Sequence, residues 1–348
     1  MKAAFVTGVT GQDGSYISEF LLHKGYTVYG LCRYCSEKKK GRLEGVITDQ
    51  EFHLLEGDLT DTARLTTIIN SLEQYDSIEI YNLGAQSHVK VSFDQPEYTA
   101  NVDALGTLRL LEAIRTCGFS HKIRFYQAGT SEMFGASPPP QTETTPFYPR
   151  SPYGVAKMYA YWIVRNYRES YGLFACTGIL FNHESERRGE EFVTRKVTLG
   201  LAEYIKSGQV LELGNLDARR DWGHASDYVE AMWMMLQRDY PDDFVVGSGE
   251  THSIREFIEE AARVAGLDLH WKGSDLGEEA VTPDGNVVIR INPEFYRPAE
   301  VDNLQALPHR ARLVLGWTQK ISFSELVKRM MESDLKLAGL TSSCGGSS

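Results

Sequence analysis

Apolar runs alternate with amphipathic stretches through the first half of the chain. Runs typical of buried strands occupy residues 2–7, 26–32, 51–55, 78–82, 122–127 and 173–180. Helical periodicity lies between them at residues 13–24, 61–75, 96–117 and 151–171. Because strands that alternate with helices are joined by right-handed crossovers, this order predicts an α/β fold built on a Rossmann-type doubly wound parallel sheet.

After about residue 182 the alternation becomes irregular. Elements are predicted there at 192–207 (helix), 211–213 (strand), 227–240 (helix) and 253–265 (helix). The last helix begins with a capping box, Ser253 with Glu256. Residues 272–287, rich in Gly, Asp and Glu, are typical of a surface loop. We expect a first domain at 1–181 with later segments interleaved, a smaller α/β domain at 182–340, and a flexible tail at 341–348.

The composition narrows the functional classes. The chain has 348 residues, of which 42% are hydrophobic and 24% charged, with a formal net charge of −11. This balance disfavours nucleic-acid binding, since such binding needs a basic face to replace phosphate counterions. No apolar run approaches the roughly 20 residues that span a bilayer, and the first strand leaves no room for a signal peptide. We expect a soluble, cytoplasmic protein without membrane or nucleic-acid partners.

The cysteines are predicted to be free thiols rather than disulfide-bonded. Five cysteines, an odd number without an evident secretion signal, do not suggest a disulfide framework. Cys32 and Cys35 form a C-x-x-C sequence, but neither a second ligand pair nor a helix start accompanies them. We interpret the pair as small residues at a strand end and predict no metal site.

A glycine-rich turn joins the first strand to the first helix. Residues 7–14 read Thr-Gly-Val-Thr-Gly-Gln-Asp-Gly, with glycines three residues apart. In the first βα unit of a doubly wound sheet, glycine lets backbone amides at a helix start approach a pyrophosphate closely. The first domain is therefore predicted to bind a dinucleotide. The expected contacts in the turn are Gly8, Val9, Thr10, Gly11, Gln12 and Asp13.

The second strand ends at Arg33, in a basic stretch that continues to Arg42 through Lys38, Lys39 and Lys40. An NAD enzyme usually carries Asp or Glu at this point for the ribose 2′-hydroxyl. A guanidinium favours a 2′-phosphate instead, so the sequence predicts NADP. Further cofactor contacts are expected from the loops after the third and fourth strands, namely Asp58, Leu59, Leu83, Gly84, Ala85, Gln86 and Ser87.

Two segments carry candidate proton-transfer chemistry. Residues 151–152, Ser-Pro, are typical of a helix start, which places Tyr153 and Lys157 on one helical face. The lysine ammonium is expected to lower the pKa of the Tyr153 phenol toward the range of a general base. The fifth strand runs into Thr130 and Glu132, which should reach the crevice beyond the strand ends. A carboxylate there permits proton chemistry beyond hydride transfer.

Longer strings resemble the GDP-mannose 4,6-dehydratase family, of the extended short-chain dehydrogenase/reductase superfamily, over nearly the whole chain. The most specific are Phe-Asn-His-Glu-Ser at 181–185 and Phe-Val-Thr-Arg-Lys at 192–196. Other matching stretches are 8–14, 98–109, 145–153 and 220–223. The Thr-Ser-Glu and Tyr-x-x-x-Lys elements recur in several nucleotide-sugar enzymes and are less specific.

The resemblance implies roles for three sets of residues. It implies Thr130, Glu132, Tyr153 and Lys157 as catalytic, with Lys157 also contacting the nicotinamide ribose. To the cofactor contacts it adds Tyr98, His183 and Arg188. As contacts of GDP-mannose it implies Asn182, Val193, Lys196, Asn215, Arg220, Arg297 and Glu300.

The implied reaction removes water from GDP-mannose and gives GDP-4-dehydro-6-deoxymannose, a first step toward deoxysugars such as GDP-fucose or GDP-rhamnose. Tyr153 takes the C4 hydroxyl proton as hydride passes to NADP. Glu132 then removes the C5 proton and assists departure of the C6 hydroxyl, while Thr130 hydrogen-bonds near C4. Hydride returns to C6, so no external oxidant is consumed.

Two other classes of function fit parts of the sequence. A GDP-4-keto-6-deoxymannose reductase or a nucleotide-sugar epimerase would use Tyr153 and Lys157 without needing Glu132 as acid and base. A non-catalytic NADP-sensing protein could share the fold, because fold alone does not determine function. Such a protein would often lose Tyr153 or Lys157, and both are present.

Three positions and one loop depart from the family pattern, the loop being 34–40, which is Lys-rich where serines are usual. Gly129 stands where serine is usual, Gly84 where alanine is usual, and Glu186 where proline is usual. The two glycines are expected to widen backbone freedom near the site.

The predicted helices 96–117 and 151–171 carry apolar faces. In this superfamily such faces pair into a four-helix contact. By analogy, we expect a homodimer or homotetramer.

Overall fold

The structure, a computed structural model, describes residues 1–34, 41–296, 301 and 303–340. In chain order its strands are β1 (Lys2–Thr7), β2 (Thr27–Cys32), β3 (Phe52–Glu56), β4 (Ser77–Asn82), β5 (Ile123–Ala128), β6 (Phe174–Leu180), β7 (Asn182–Glu184), β8 (Leu211–Leu213), β9 (Arg219–Arg220), β10 (Trp222–His224), β11 (Phe244–Val246), β12 (His252–Ser253), β13 (His270–Lys272), β14 (Glu279–Val281), β15 (Val287–Ile291) and β16 (Asn303–Leu304). Its α-helices are α1 (Gln12–His23), α2 (Thr62–Asn70), α3 (Val89–Asp94), α4 (Pro96–Thr99), α5 (Gly106–Thr116), α6 (Pro152–Tyr171), α7 (Val193–Ser207), α8 (Ala225–Leu236), α9 (Ile254–Ala265) and α10 (Phe323–Leu337).

Seven parallel strands form the central sheet, in the order β3-β2-β1-β4-β5-β6-β11. The first six follow the strand order of doubly wound dinucleotide folds, so the predicted Rossmann-type fold is confirmed. The sequence pattern did not reveal β11, because a run of three apolar residues is too short to distinguish from a loop. This strand and α8 follow residue 182 in the chain but belong to the first unit.

Alternate side chains of each strand build two cores, one on each face of the sheet. On β1, Val6 packs in the core shared with α1 and α8, whereas Phe5 packs with α2, α5 and α6. Both side chains are fully buried. This burial of both faces explains why the strands read as continuous apolar runs rather than as alternating ones.

The predicted helix at 96–117 is interrupted. A π-helical turn at Ala100–Leu105 separates α4 from α5. Directly after it, a Cβ added at Gly106 would lie 2.9 Å from Leu59 Cβ, so this stretch packs closely against the loop after β3. Such turns are uncommon and are found frequently at functional sites.

The second unit packs α7, α9 and α10 against a four-stranded sheet of order β13-β14-β15-β8. The surface loop predicted at 272–287 is confirmed for the exposed residues 273–277 and 283–286, but it is wrong at β14 and at the ends of its two antiparallel neighbours. Ala280 and Val281 are buried in the core of the unit. The sequence obscures these strands because each is short and glycine turns at Gly273 and Gly285, both with positive φ, dominate the composition.

The helices in the described parts of the chain include no candidate for a membrane span, because none combines the necessary length and apolarity.

Candidate active site

A cavity of about 840 Å³ opens at the carboxyl ends of the central strands and extends to the second unit. Among the residues predicted for the site, it is lined by Gly8, Thr10, Gly11, Gln12, Asp13, Arg33, Asp58, Leu59, Leu83, Gly84, Ala85, Ser87, Tyr98, Thr130, Glu132, Tyr153, Lys157, Asn182, His183, Arg188, Val193, Lys196, Asn215 and Arg220. The predicted groups from both halves of the sequence therefore meet in one space.

Val9 and Gln86 do not line this cavity. Val9 is fully buried beneath the turn, where its Cγ2 would lie 2.6 Å from a Cβ added at Gly30. The Gln86 side chain folds back on its own loop, accepting from the amide of His88 at 2.7 Å and donating to its carbonyl at 3.2 Å. Packing and local hydrogen bonds thus turn both side chains away. Arg297 and Glu300 lie outside the described residues.

The turn after β1 has the geometry of a phosphate cradle. Gly8 has a φ of +67°, and a Cβ there would lie 2.8 Å from the backbone of Gly84. A Cβ at Gly14 would lie 2.3 Å from the carbonyl oxygen of Gly8. Gly11 begins α1 without a side-chain cap, so no side chain of this turn competes for the first helix amides. Close backbone approach and an uncapped helix start fit the pyrophosphate of a dinucleotide.

Thr7 joins this turn to the loop beneath it, a role that the sequence analysis missed. Its hydroxyl donates to Asn82 at 2.7 Å and accepts from the amides of Leu83 and Gly84 at 3.1 and 2.9 Å. Polar residues that end neighbouring strands β1 and β4 were the available signal. The bonds hold the two loops of the predicted cofactor site together.

Asp13 and His183 connect α1 to the second half of the chain. His183 Nε2 lies 2.8 Å from Asp13 Oδ2, and the imidazole stacks on Tyr228 with ring centroids 4.5 Å apart. Burial alone would raise the pKa of Asp13, but the charge and hydrogen bond of His183 outweigh it and lower that pKa. Burial likewise opposes protonation of His183, yet Asp13 raises its pKa. The pair is therefore a charged contact within the cavity wall.

Arg33 and Arg42 both line the cavity near the end of β2. Arg33 Nη1 donates to the hydroxyl of Tyr98 at 2.6 Å, which orients the guanidinium. Arg42 donates to the carbonyl of Arg187 at 2.6 Å and so ties this region to the segment that leads into α7. Lysines 38–40 and Cys35 lie outside the described residues, so the C-x-x-C interpretation and the lysine-rich loop stay predictions.

Tyr153 and Lys157 lie at the start of α6, as the helix-start signal predicts. Ser151 Oγ accepts from the amide of Gly154 at 3.0 Å and caps the helix. Tyr153 is 8% exposed and Lys157 is 3% exposed. The ammonium of Lys157 donates to the carbonyl of Ala128 at 3.0 Å and lies 5.8 Å from the Tyr153 ring centroid.

The predicted lowering of the Tyr153 pKa is wrong for the protein alone. Burial raises the pKa of this phenol, and the charge of Asp103 raises it further, while a hydrogen bond with Thr130 acts in the opposite direction. Burial also lowers the pKa of Lys157. Sequence spacing gave the position of the ammonium but not the cost of burying both groups.

Thr130 and Glu132 follow β5 on a short 3-10 turn. Thr130 Oγ1 accepts from the amide of Glu132 at 3.2 Å, and Glu132 is 9% exposed. A Cβ added at Gly154 would lie 2.8 Å from the carbonyl oxygen of Glu132, so the first turn of α6 packs directly on this segment. This contact brings the carboxylate and the Tyr153 phenol to the same part of the cavity.

Gly129 is closely packed. A Cβ at this position would lie 2.8 Å from Thr177 Cγ2 and 2.9 Å from the carbonyl oxygen of Gly178. Its amide donates to that same carbonyl at 2.8 Å. Gly84 is similarly confined, because an added Cβ would lie 3.0 Å from Leu59 Cδ1. Close packing therefore gives a second reason for glycine at both positions, and the expected widening of backbone freedom stays a prediction.

Glu186 makes a polar cluster behind α1. Its Oε1 accepts from the hydroxyl of Tyr16 at 2.6 Å, and its Oε2 lies 3.5 Å from His224 Nε2. Burial alone would raise its pKa, but the neighbouring His224 imidazole and the hydrogen bond from Tyr16 lower that pKa to about 2. A charged side chain at this position thus has partners.

Phe295 and Lys90 are among the cavity-lining residues that the sequence analysis missed. Phe295 lies beneath the ammonium of Lys196, 3.5 Å from the ring centroid. Lys90 donates to the carbonyl of Glu294 at 3.3 Å and also faces this ring. Neither residue belongs to a glycine turn or a periodic pattern, so no local signal marked them. They add an aromatic surface and a second cation beside the predicted substrate contacts.

Comparison with known proteins places this site in a family. The family model described as GDP-mannose 4,6 dehydratase matches residues 5–330. A GDP-mannose 4,6 dehydratase of Drosophila melanogaster is 55% identical over 345 residues, covering 97% of this chain and 87% of the relative. A Vibrio cholerae GDP-mannose 4,6-dehydratase is 53% identical over 355 residues, covering 97% and 95%.

Among solved structures, a UDP-glucose 4-epimerase of Thermus thermophilus in complex with NAD superposes with a TM-score of 0.77. It is 25% identical and covers 95% of this chain and 98% of its own. The family-model match over most of the chain, together with relatives above 50% identity over nearly its whole length, assigns the family. The chain belongs to the GDP-mannose 4,6-dehydratase family.

Proposed function

We propose that the protein converts GDP-mannose into GDP-4-dehydro-6-deoxymannose and water. The observation that carries this proposal is the meeting of Glu132 with Tyr153 and Lys157 in one cavity above a glycine cradle. A redox site alone needs the tyrosine and the lysine. A carboxylate beside them supplies the acid and base for elimination of water.

NADP is the proposed cofactor. The glycine turn fits a dinucleotide, and Arg33 and Arg42 at the end of β2 offer guanidinium groups to a 2′-phosphate. The Thermus epimerase structure contains NAD, so the choice between the two dinucleotides rests on these arginines rather than on the fold. When bound, the oxidised dinucleotide supplies the hydride acceptor, and its reduced form returns the hydride.

The side chains divide the proton transfers. Tyr153 accepts the proton of the C4 hydroxyl, with Lys157 beside it to favour the tyrosinate. The ketone formed at C4 of the sugar acidifies the C5 hydrogen. Glu132 then takes the C5 proton and gives a proton to the departing C6 hydroxyl, while the Thr130 hydroxyl holds the C4 oxygen. The proton that Tyr153 took from the C4 hydroxyl balances the one that C5 regains, and a bound reduced dinucleotide would supply the hydride at C6, so the redox cycle would close within one turnover.

Cations at the second-unit end of the cavity suit a nucleoside diphosphate. Lys196 and Arg220 line this end with Asn182, Val193 and Asn215. Burial lowers the pKa of Lys196, so an anionic ligand that stabilises the ammonium form would be bound favourably. By resemblance, Arg297 and Glu300 complete the substrate contacts.

Incubation of the purified protein with GDP-mannose, without added oxidant, tests the proposal. We expect a GDP-sugar lighter by one water in the mass spectrum, and NADP released from the denatured protein. Unchanged GDP-mannose from protein that holds NADP would reject this substrate. Released NAD in place of NADP would reject only the cofactor assignment.

We further propose that copies of the chain associate through α6. Val155, Tyr159 and Trp162 are 51%, 38% and 52% exposed, and they recur along one face of this helix. Leu105, 41% exposed, lies on the neighbouring π-helical turn. A contiguous exposed apolar face of this kind is typical of an interaction surface.

A further inference from the structure

Asp103 is a buried acid that the proposed chemistry does not use. It lies on the π-helical turn between α4 and α5 and is 1% exposed. Its Oδ1 accepts from the amide of Gln86 at 2.7 Å, whereas its Oδ2 is buried without a hydrogen-bond partner. An unsatisfied buried carboxylate oxygen is costly unless a charge faces it.

The π-helical turn that carries Asp103 packs against α6, the helix of Lys157, and both side chains are buried. Burial raises the pKa of Asp103 to about 6, and the ammonium of Lys157 is the leading influence in the opposite direction. Correspondingly, Asp103 is the leading influence that raises the pKa of Lys157 against burial, followed by Asp13. The Lys157 ammonium has Ala128 as its hydrogen-bond acceptor, and that carbonyl carries no charge.

The same carboxylate also faces Tyr153, whose other charged neighbours are Glu132 and Arg188. Ionised Asp103 opposes formation of tyrosinate directly, but it keeps the ammonium that favours tyrosinate. These two effects have opposite signs. A pH profile of activity measures their net effect on the formation of the Tyr153 tyrosinate.

We propose that Asp103 is a positioning residue whose buried carboxylate is the counter-charge that holds Lys157 in its ammonium form. This inference rests on the roles proposed above for Tyr153 and Lys157. Hydrogen bonds hold Asp103 in place. The Gln86 amide donates to its carboxylate, and the Thr107 hydroxyl donates to its main-chain carbonyl at 3.1 Å and also to Gln127. Asp103 thereby links the loop after β4, through the Gln86 amide, to the catalytic helix.

The Asp103→Asn variant tests this role, because an amide keeps the shape and the acceptor for Gln86 but removes the charge. Without its counter-charge, Lys157 loses its proton at lower pH. The alkaline limb of the kcat/KM profile for GDP-mannose should then move down by about one pH unit or more. The pH profile of the single-turnover absorbance at 340 nm should show the same downward shift of its alkaline limb. Asp227→Asn is the matched control, since Asp227 is 3% exposed and accepts from the amides of Lys320 and Ile321, outside the cavity.

A stability cycle provides a second measurement that does not depend on turnover. Lys157→Met should lower the melting temperature by leaving Asp103 buried without its counter-charge, and adding Asp103→Asn should recover part of that loss. An unshifted alkaline limb in folded Asp103→Asn, or strictly additive losses of stability, would overturn the role of Asp103. Absence of product from the wild type and from Asp227→Asn would instead reject the proposed function, and the role of Asp103 with it.

Discussion

At the scale of single residues, burial decides what each polar group in the cavity can do. Tyr153 and Lys157 are both almost fully buried, and burial drives the pKa of the phenol up and that of the ammonium down. Neither shift favours tyrosinate. Because an oxidised nicotinamide ring is positively charged, the bound dinucleotide and Lys157 together offer the charge that the phenol lacks in the protein alone. A bound oxidised dinucleotide would therefore lower the pKa of the Tyr153 phenol.

Glu132→Gln should separate hydride transfer from elimination. The amide cannot accept the C5 proton, so product formation should fall by about 10²–10⁴-fold, the usual contribution of a general acid or base. Substrate binding and transient absorbance at 340 nm should persist in single-turnover measurements. Tyr153→Phe is the contrasting variant, because it should lose that absorbance as well. Normal product formation by Glu132→Gln would reject the assigned role.

Residue identity and spacing predicted much of the candidate site, and the reasons for the exceptions are local. The glycine spacing and the Ser-Pro helix start predicted Gly8 and Tyr153 as site residues, and both line the cavity. Val9 belongs to the same turn, but its side chain points into the core. Phe295 comes from an irregular segment far along the chain. No pattern within one segment reveals a neighbour that only folding brings close.

At the scale of elements, close approach of α1 to the preceding turn determines the shape of the phosphate cradle. Gly14 lies in the first turn of the helix, against the carbonyl of Gly8 and the Cα of Val9. The helix axis can point at the cradle only while this contact has no side chain. On the other face of the sheet, the π-helical turn at Ala100–Leu105 packs against α6 and so places Asp103 near the helix that carries Tyr153 and Lys157.

Gly14→Ala should therefore weaken both cofactor retention and folding. An alanine Cβ would lie 2.3 Å from the Gly8 carbonyl oxygen, and backbone there cannot rotate away as a side chain can. We expect a loss of about 1–3 kcal/mol in unfolding free energy, as for overpacked sites, and less dinucleotide bound after purification. Thermal melting and absorbance of the released cofactor measure the two effects.

Gly277→Ala is the control for this substitution, because no atom lies within 4 Å of an added Cβ there. It should leave melting temperature and bound cofactor near their wild-type values. Equal behaviour of the two variants would show that the contact at Gly14 does not shape the cradle.

At the scale of the whole molecule, the cavity joins two units that the chain builds from interleaved segments. Asp13 with His183, and Arg42 with the Arg187 carbonyl, tie the cofactor side to the segment that leads into α7. Substitutions on the cofactor side of the cavity are therefore expected to affect the segment that leads into α7, and the reverse. The exposed apolar face lies on α6, the helix that also carries Tyr153. Association of copies through this face would therefore stabilise the helix.

Trp162→Glu combined with Tyr159→Glu should dissociate the proposed assembly. Two carboxylates on this face would repel the same face of a second copy, since a two-fold contact brings like residues together. Light scattering on a sizing column should report a smaller species than the wild type. Leu313→Glu, at a residue 82% exposed elsewhere, should leave the mass unchanged. A monomeric wild type would reject the proposed association.

The sequence by itself determined the doubly wound sheet, the glycine turn, the helix start before Tyr153 and the family resemblance, because these depend on periodicity and on fixed local spacing. Only the tertiary structure decided which way Val9 and Gln86 point, that Gly129 is closely packed, and that β14 lies within 272–287. It also decided the pKa of Tyr153 and brought Asp103 to Lys157. These properties arise from burial and from contacts between distant segments, which no local pattern encodes.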